Sequence, residues 1–181
     1  MPPRIRPAHP RRILAFFPHR RASGRVAIDD GCAVVTQSFA AIELRHPFAD
    51  REARLELEVG RAIHRFHPAL VAIGIDERRP NDLAAVVERV ACHLGVSHVV
   101  IPTQRVAEML LGDRPPHGYD KLAQAVSHHL PVLAPRVLTE DTTRAASLRR
   151  RNASAWRACA AALEAHATAF TSRSAGPSSL V

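Results

Sequence analysis

Apolar residues run without a break from Ile13 to Phe17, the pattern of a strand buried on both faces. A second strand is predicted over Arg25–Ile28 and a third, longer one over Cys32–Leu44. Asp30-Gly31 stands between them, and an Asp-Gly pair suits a two-residue hairpin turn because both positions tolerate positive φ. Arg20 to Gly24 turns the chain between the first two strands. The spacing then becomes helical. Leu55, Val59, Ile63 and Phe66 share one face, with Arg54, Glu58, Arg61 and Arg65 opposite; Asp50 is placed at the N-cap and Pro68 ends the helix. Leu70–Ile75 is a fourth strand, apolar on both sides and so central and parallel to a neighbour. Asn81 caps a second helix with the stripe Leu83, Val86, Val87, Val90 and Leu94, which Gly95 stops.

Val96–Ile101 reads as a fifth strand. Thr103 caps a short helix carrying Val106, Met109 and Leu110, closed by Gly112, and the turn-rich loop 113–118 follows. A helix over Tyr119–His129, an irregular stretch Pro131–Asp141 and a long helix Thr143–Ala169 complete the pattern. The second half of that helix, WRACAAALEAHATAF, is small and apolar enough to lie close on a sheet. Three strands joined by turns, then strands reached through helices, predict an α/β fold. Its first three strands are antiparallel and its last two parallel, with right-handed crossovers. One domain is expected over 12–170, between a disordered basic arm at 1–11 and a disordered Ser-rich tail at 171–181.

Charge narrows the function. The 181 residues carry a formal +8 with a pI near 11.0, and Lys121 is the one lysine, so arginine supplies the charge. Seven arginines (4, 6, 11, 12, 20, 21 and 25) and no acid fall between Met1 and Ile28. Such a balance favours polyanions, nucleic acid first. Aromatics are scarce, so base-stacking platforms are not expected. Cys32, Cys92 and Cys159 have neither disulfide nor zinc spacing and read as reduced thiols. No apolar run reaches the roughly 18 residues of a membrane span, and MPPRIRPAHPRR has no signal-peptide core; a cytoplasmic protein without membrane contact is expected.

The segments ILAFFPHRRASGRVAIDDG-CAVVTQSFAAIEL, HRFHPALVAIG and IPTQRVAEMLLGD occur in the order and spacing of a known group. Over about residues 12–166 the chain resembles the RuvC-like Holliday junction resolvases of the ribonuclease H-like superfamily. The resemblance implies a mixed five-stranded sheet with helices on both faces. It implies phosphodiester hydrolysis by two Mg²⁺ ions held by four carboxylates, and a homodimer. By position, the first-strand aspartate falls on Phe17, the fourth-strand glutamate on Gly74, and the acids opening the last helix near Asn152 to Trp156. None of these positions carries an acid. The fallback acids are Asp76 and Glu77 after the fourth strand and Glu140 and Asp141 before the last helix; Asp29-Asp30 reads as a hairpin turn.

No histidine spacing matches a metal pattern, so no metal site and no cofactor are expected. Ser38, Ser97 and Cys92 show no base-and-orienter set along the sequence, so covalent catalysis has no support there. The leading expectation is a catalytically degenerate RuvC-like protein of recombination, repair or mobile-element processing. It would bind the backbone of DNA or RNA through Arg20, Arg21, Arg25, Arg149, Arg150 and Arg151, whose forked donors match phosphate. The alternatives are a Mg²⁺-dependent endonuclease with relocated carboxylates, and an interaction subunit with an acidic partner.

Overall fold

β1 (Arg12–Pro18) is the strand on which the others are hung. The structure, a computed structural model, describes residues 11–44, 48–78, 82–102, 105–106, 110, 119–137 and 143–170. β1 pairs antiparallel with β2 (Ala22–Asp29) on one side and parallel with β4 (Leu70–Ile75) on the other. β3 (Ala40–Glu43) pairs antiparallel with β2, and β5 (His98–Pro102) parallel with β4, giving the order β3-β2-β1-β4-β5. This is the predicted mixed α/β sheet of ribonuclease H-like type, with its three antiparallel and two parallel strands.

Strand alternation divides the core into two layers. Leu14, Phe16, Ala27, Val71 and Ile73 face α1 (Phe48–Phe66) and α2 (Leu83–His93). Ile13, Ala15, Phe17, Val26, Ile28 and Ala72 face the other layer. There lie α3 (Tyr119–His129), a 3₁₀ turn (Pro131–Arg136) and the long helix α4 (Thr143–Phe170), which touches all five strands. The α1 stripe Leu55, Val59, Ile63 and Phe66 is buried as its spacing requires. The small half of α4 is buried too, with Trp156 and the alanines 155, 158, 160, 161, 162 and 165 at 1% exposure or less.

Small residues on β2 and β4 let α4 come close. A Cβ at Gly24 would fall on the backbone carbonyl of Ser154, so only glycine fits beneath that turn of α4. A Cβ at Gly74 would stand 2.8 Å from Phe17 Cδ2 and 3.2 Å from the Ala161 Cβ. Elsewhere the chain departs from its sequence pattern in instructive ways. The expected third strand Cys32–Leu44 forms a ladder only over Ala40–Glu43, with an isolated bridge from Val34 to Ile28. Three residues back along β2, from Ile28 to Arg25, the partner moves six forward, from Val34 to Ala40, so three residues bulge out. Gln37 takes φ 60° in that bulge, and the buried Ser38 Oγ donates to the Ala27 carbonyl at 3.1 Å.

The Asp30-Gly31 turn has three residues rather than two. Cys32 N donates to Asp29 O at 3.0 Å, and Cys32 itself takes the left-handed position at φ 59°. The Asp29 carboxylate accepts the Ala33 N–H at 2.8 Å, which offsets an arrangement that glycine would adopt more readily. The β1–β2 turn is tighter than expected, closed by His19 N donating to Ala22 O, with Arg20 and Arg21 at its corner. Asp50 lies inside the first turn of α1 instead of capping it, where its charge still favours the helix N-terminus. β5 starts at His98 rather than Val96, and part of the stretch read as irregular is the 3₁₀ turn. The arm 1–10, Asn81 as a cap, Thr103 as a cap with Met109 and Gly112, the loop 113–118, Glu140 and Asp141, and the tail 171–181 lie outside the described residues. No helix among the described residues is long and apolar enough to cross a membrane.

Candidate nucleic-acid interface

Phe17 and Gly74 end adjacent parallel strands on the α4 face of the sheet, where Phe16 pairs with Ile73 and Gly74 with Ile101. Phe17 is 2% exposed, and its ring occupies the room beside Gly74 into which any side chain at 74 would project. Over that ring stands the guanidinium of Arg157, 5.1 Å from the centroid and only half buried. No carboxylate among the described residues pairs with Arg157. Ser154, Arg157 and Ala161 lie three and four residues apart, hence on one face of α4, and meet Gly24, Phe17 and Gly74 in turn. Asn152 is half buried on the turn before Ser154; the α4 residues that meet Phe17 and Gly74 are Arg157 and Ala161.

A Mg²⁺ pair does not fit this site. A phenyl ring, a bare backbone, an alanine and a guanidinium offer no oxygen ligands, and the guanidinium repels a cation. The fallback acids within the described residues, Asp76 and Glu77, join no cluster able to hold a metal. Asp76 accepts the Arg78 N–H at 3.1 Å in a local turn, Glu77 is exposed, and Asp141 is outside the described residues. Among the described residues no three His, Cys, Asp or Glu side chains gather in a way able to hold a metal. The acid nearest in sequence to this stripe, Glu164, is 7% exposed and joined to Arg105 Nε at 2.8 Å.

The six arginines expected to bind nucleic acid divide into three groups. Arg20 and Arg21 are exposed at the β1–β2 turn. The backbone of 149–151 forms the α4 turn before Ser154. Both segments lead off from one contact, Gly24 against Ser154. Arg25 is apart from them, beneath α1 on the opposite face of the sheet. It pairs with Glu58 at 3.9 Å, donates from Nε to the Ser38 carbonyl at 3.4 Å and lies 5.6 Å from the Phe66 ring centroid. Burial lowers its pKa from the ordinary guanidinium value, with Glu58 opposing and Arg65 reinforcing the shift. Alternation carries the correction: Val26 and Ile28 point to α4, so Arg25 points away from it.

Two clusters escaped the sequence reading. One is Arg157 on Phe17, invisible until the phase of α4 against the sheet is known. The other joins Cys92, His98 and Glu88. Cys92 Sγ lies 3.8 Å from His98 Nδ1, and His98 Nε2 lies 3.2 Å from Glu88 Oε1. Cys92 therefore has an imidazole within contact distance, and that imidazole a carboxylate, an alignment of all three that the spacing along the sequence does not reveal. The available signal was the four-residue spacing of Glu88 and Cys92, which puts both on one face of α2.

No protein-family model matches the sequence, and no curated protein matches it. Solved structures do. Thermus thermophilus RuvC in complex with a Holliday junction substrate is 20% identical at a TM-score of 0.63, over 91% of this chain and 97% of that one. Another structure of T. thermophilus RuvC is 17% identical at a TM-score of 0.61, over 90% and 96%. The order of the strands, the two-layer core and this end-to-end superposition together give the chain the ribonuclease H-like fold in its RuvC form.

Proposed function

We propose that the protein binds nucleic acid, DNA in the first place, through its phosphate backbone, on a RuvC-like scaffold without the metal chemistry of a nuclease. The observation that carries this reading is the Phe17–Gly74–Arg157 stack. A protein cation stands at the strand ends where a resolvase of this fold would keep carboxylates and metal. A half-buried guanidinium held over a ring is oriented in advance and keeps its donors for phosphate oxygens. Arg20 and Arg21, exposed at the β1–β2 turn, and the backbone turn of α4 that carries arginines 149–151 both lead off from the same helix–sheet contact. Arg25 is left to structure. Support also comes from the T. thermophilus RuvC of like fold, which is recorded on a Holliday junction substrate.

Gel shifts with a short duplex and a four-way junction at two salt concentrations test the reading. Binding is expected at low salt and lost steeply as salt rises. Arg157→Ala should lower affinity on both substrates and reduce the log–log salt slope by about 0.9, one phosphate contact. Absence of binding at low salt overturns the proposal. Cleavage of the junction in Mg²⁺ or Mn²⁺ overturns its non-catalytic half and returns Asp76, Glu77 and Asp141 to consideration. A slope left unchanged by Arg157→Ala removes Arg157 from the interface.

A further inference from the structure

At the far edge of the molecule from β3, the end of α2 meets the start of β5 in a line of three side chains. Glu88 and Cys92 share a face of α2, and His98 opens β5 between them. His98 Nε2 faces Glu88 Oε1 at 3.2 Å and His98 Nδ1 faces Cys92 Sγ at 3.8 Å. A carboxylate only accepts hydrogen bonds, so Nε2 carries the proton and donates to Glu88. In the neutral imidazole Nδ1 is then the bare nitrogen, and it is the one turned to the thiol. Cys92 is exposed and His98 one-quarter exposed, so an incoming molecule reaches the sulfur. The other two thiols are less open: Cys32 is half buried and Cys159 is buried. Burial raises the pKa of Cys32, with Asp29 adding to the shift, and burial raises that of the fully enclosed Cys159 further.

We infer that Cys92 is a nucleophilic thiol served by His98 as base and Glu88 as positioning residue, and that its electrophile is a small disulfide. The choice of electrophile follows from what surrounds the sulfur. Cys92 lies in the last turn of α2, where the helix presents carbonyls, and its own carbonyl accepts the Gly95 N–H. Acyl transfer needs N–H donors for an oxyanion, which a helix C-terminus does not supply. Thiol–disulfide exchange needs none. Nδ1 takes the thiol proton as Sγ attacks one sulfur of R–S–S–R; the Cys92–S–S–R bond forms, the R–S–S–R bond breaks, and the departing thiolate takes the proton from His98. Cys92 is oxidised and the disulfide reduced in balance, and a free thiol reverses the step.

The test treats the intact, folded protein with oxidised glutathione and maps the mixed disulfide by peptide mass spectrometry. Cys92 should be modified first, Cys32 at least about tenfold more slowly, and Cys159 only after unfolding. Because Cys92 is also the most accessible thiol, the deciding readout is the base. His98→Gln and Glu88→Gln, each shown folded by circular dichroism, should slow the Cys92 reaction roughly tenfold near neutral pH. The wild-type and His98→Gln rates should converge in alkali, where a thiol ionises unaided. Glu88 is half exposed, so its variant keeps the fold if His98→Gln does not. Equal rates in the wild type and both folded variants at neutral pH, or Cys32 reacting as fast as Cys92, overturn the inference.

Discussion

Replacing Gly24 by alanine tests how closely α4 is seated. The added methyl would meet the Ser154 carbonyl and the Ala155 nitrogen, both backbone, so no side-chain rotation relieves the overlap. The helix must retreat by roughly 1.5 Å to restore contact distance, and a gap of that size forfeits at least half the dispersion well of each facing pair. The residues that lose contact include Trp156, Ala158, Ala161 and Ala162, all 1% exposed or less, across β1, β2 and β4. Truncating one buried tryptophan costs about 3–5 kcal/mol, and partial loss over the whole helix should cost a similar amount, about 3–5 kcal/mol. For a chain of this length that is a fall in Tm of about 6–20 °C. Urea unfolding can be followed by the fluorescence of Trp156, the single tryptophan, whose ring packs edge-to-face with Phe39 at 5.2 Å between centroids. Gly60→Ala is the control. That residue sits inside α1 with nothing within 4 Å of the added carbon, and its change should stabilise by about 0.5–1 kcal/mol. Gly24→Ala within about 1 kcal/mol of wild type would refute the close-seating argument.

Two further outcomes are expected. Because Cys159 has its pKa raised in the fold, the unfolded chain releases that proton first. The contribution of this thiol to stability is therefore fully present below its ordinary pKa of 9.0 and is lost above it, by up to about 1.4 kcal/mol per pH unit, and Cys159→Ala should flatten the decline in urea midpoints measured from pH 8 to about 10.5. Arg105→Ala leaves the buried Glu164 carboxylate without its partner. Arg105 is 64% exposed, so water screens the pair and the loss should be about 1–2 kcal/mol in thermal unfolding, with Arg105→Ala/Glu164→Gln recovering most of it.

What could be read from the residues was whatever repeats along one element. The apolar block Ile13–Phe17, the bounds of β4 and the stripes of α1 and α2 follow from burial on one or two faces, and the structure has them in place. The mixed sheet, with three antiparallel and two parallel strands, follows from the same elements, and the resemblance to the RuvC-like resolvases supplies the fold; the spatial order of the strands comes from the structure. What failed depended on single residues doing something atypical. Cys32 and Gln37 take positive φ where glycine would announce a turn, so Cys32–Leu44 reads as one strand. Arg25 stands beside Arg20 and Arg21 in sequence, but a strand sends successive side chains to opposite faces, and Arg25 turns to α1. The Arg157 stack and the Cys92–His98–Glu88 line join separate elements, and no periodicity reports the distance between two elements.

The close fit of α4 has a consequence for how the protein is made. The five strands are complete by Pro102, yet Ile13, Ala15, Phe17, Val26, Ile28 and Ala72 acquire their cover mainly from residues 154–165. During synthesis from the N-terminus, one side of the sheet therefore stays greasy and bare until more than fifty further residues have left the ribosome. A ribosome that stalls in that interval would release a chain with its sheet formed and its roof missing, a ready client for chaperones and proteases.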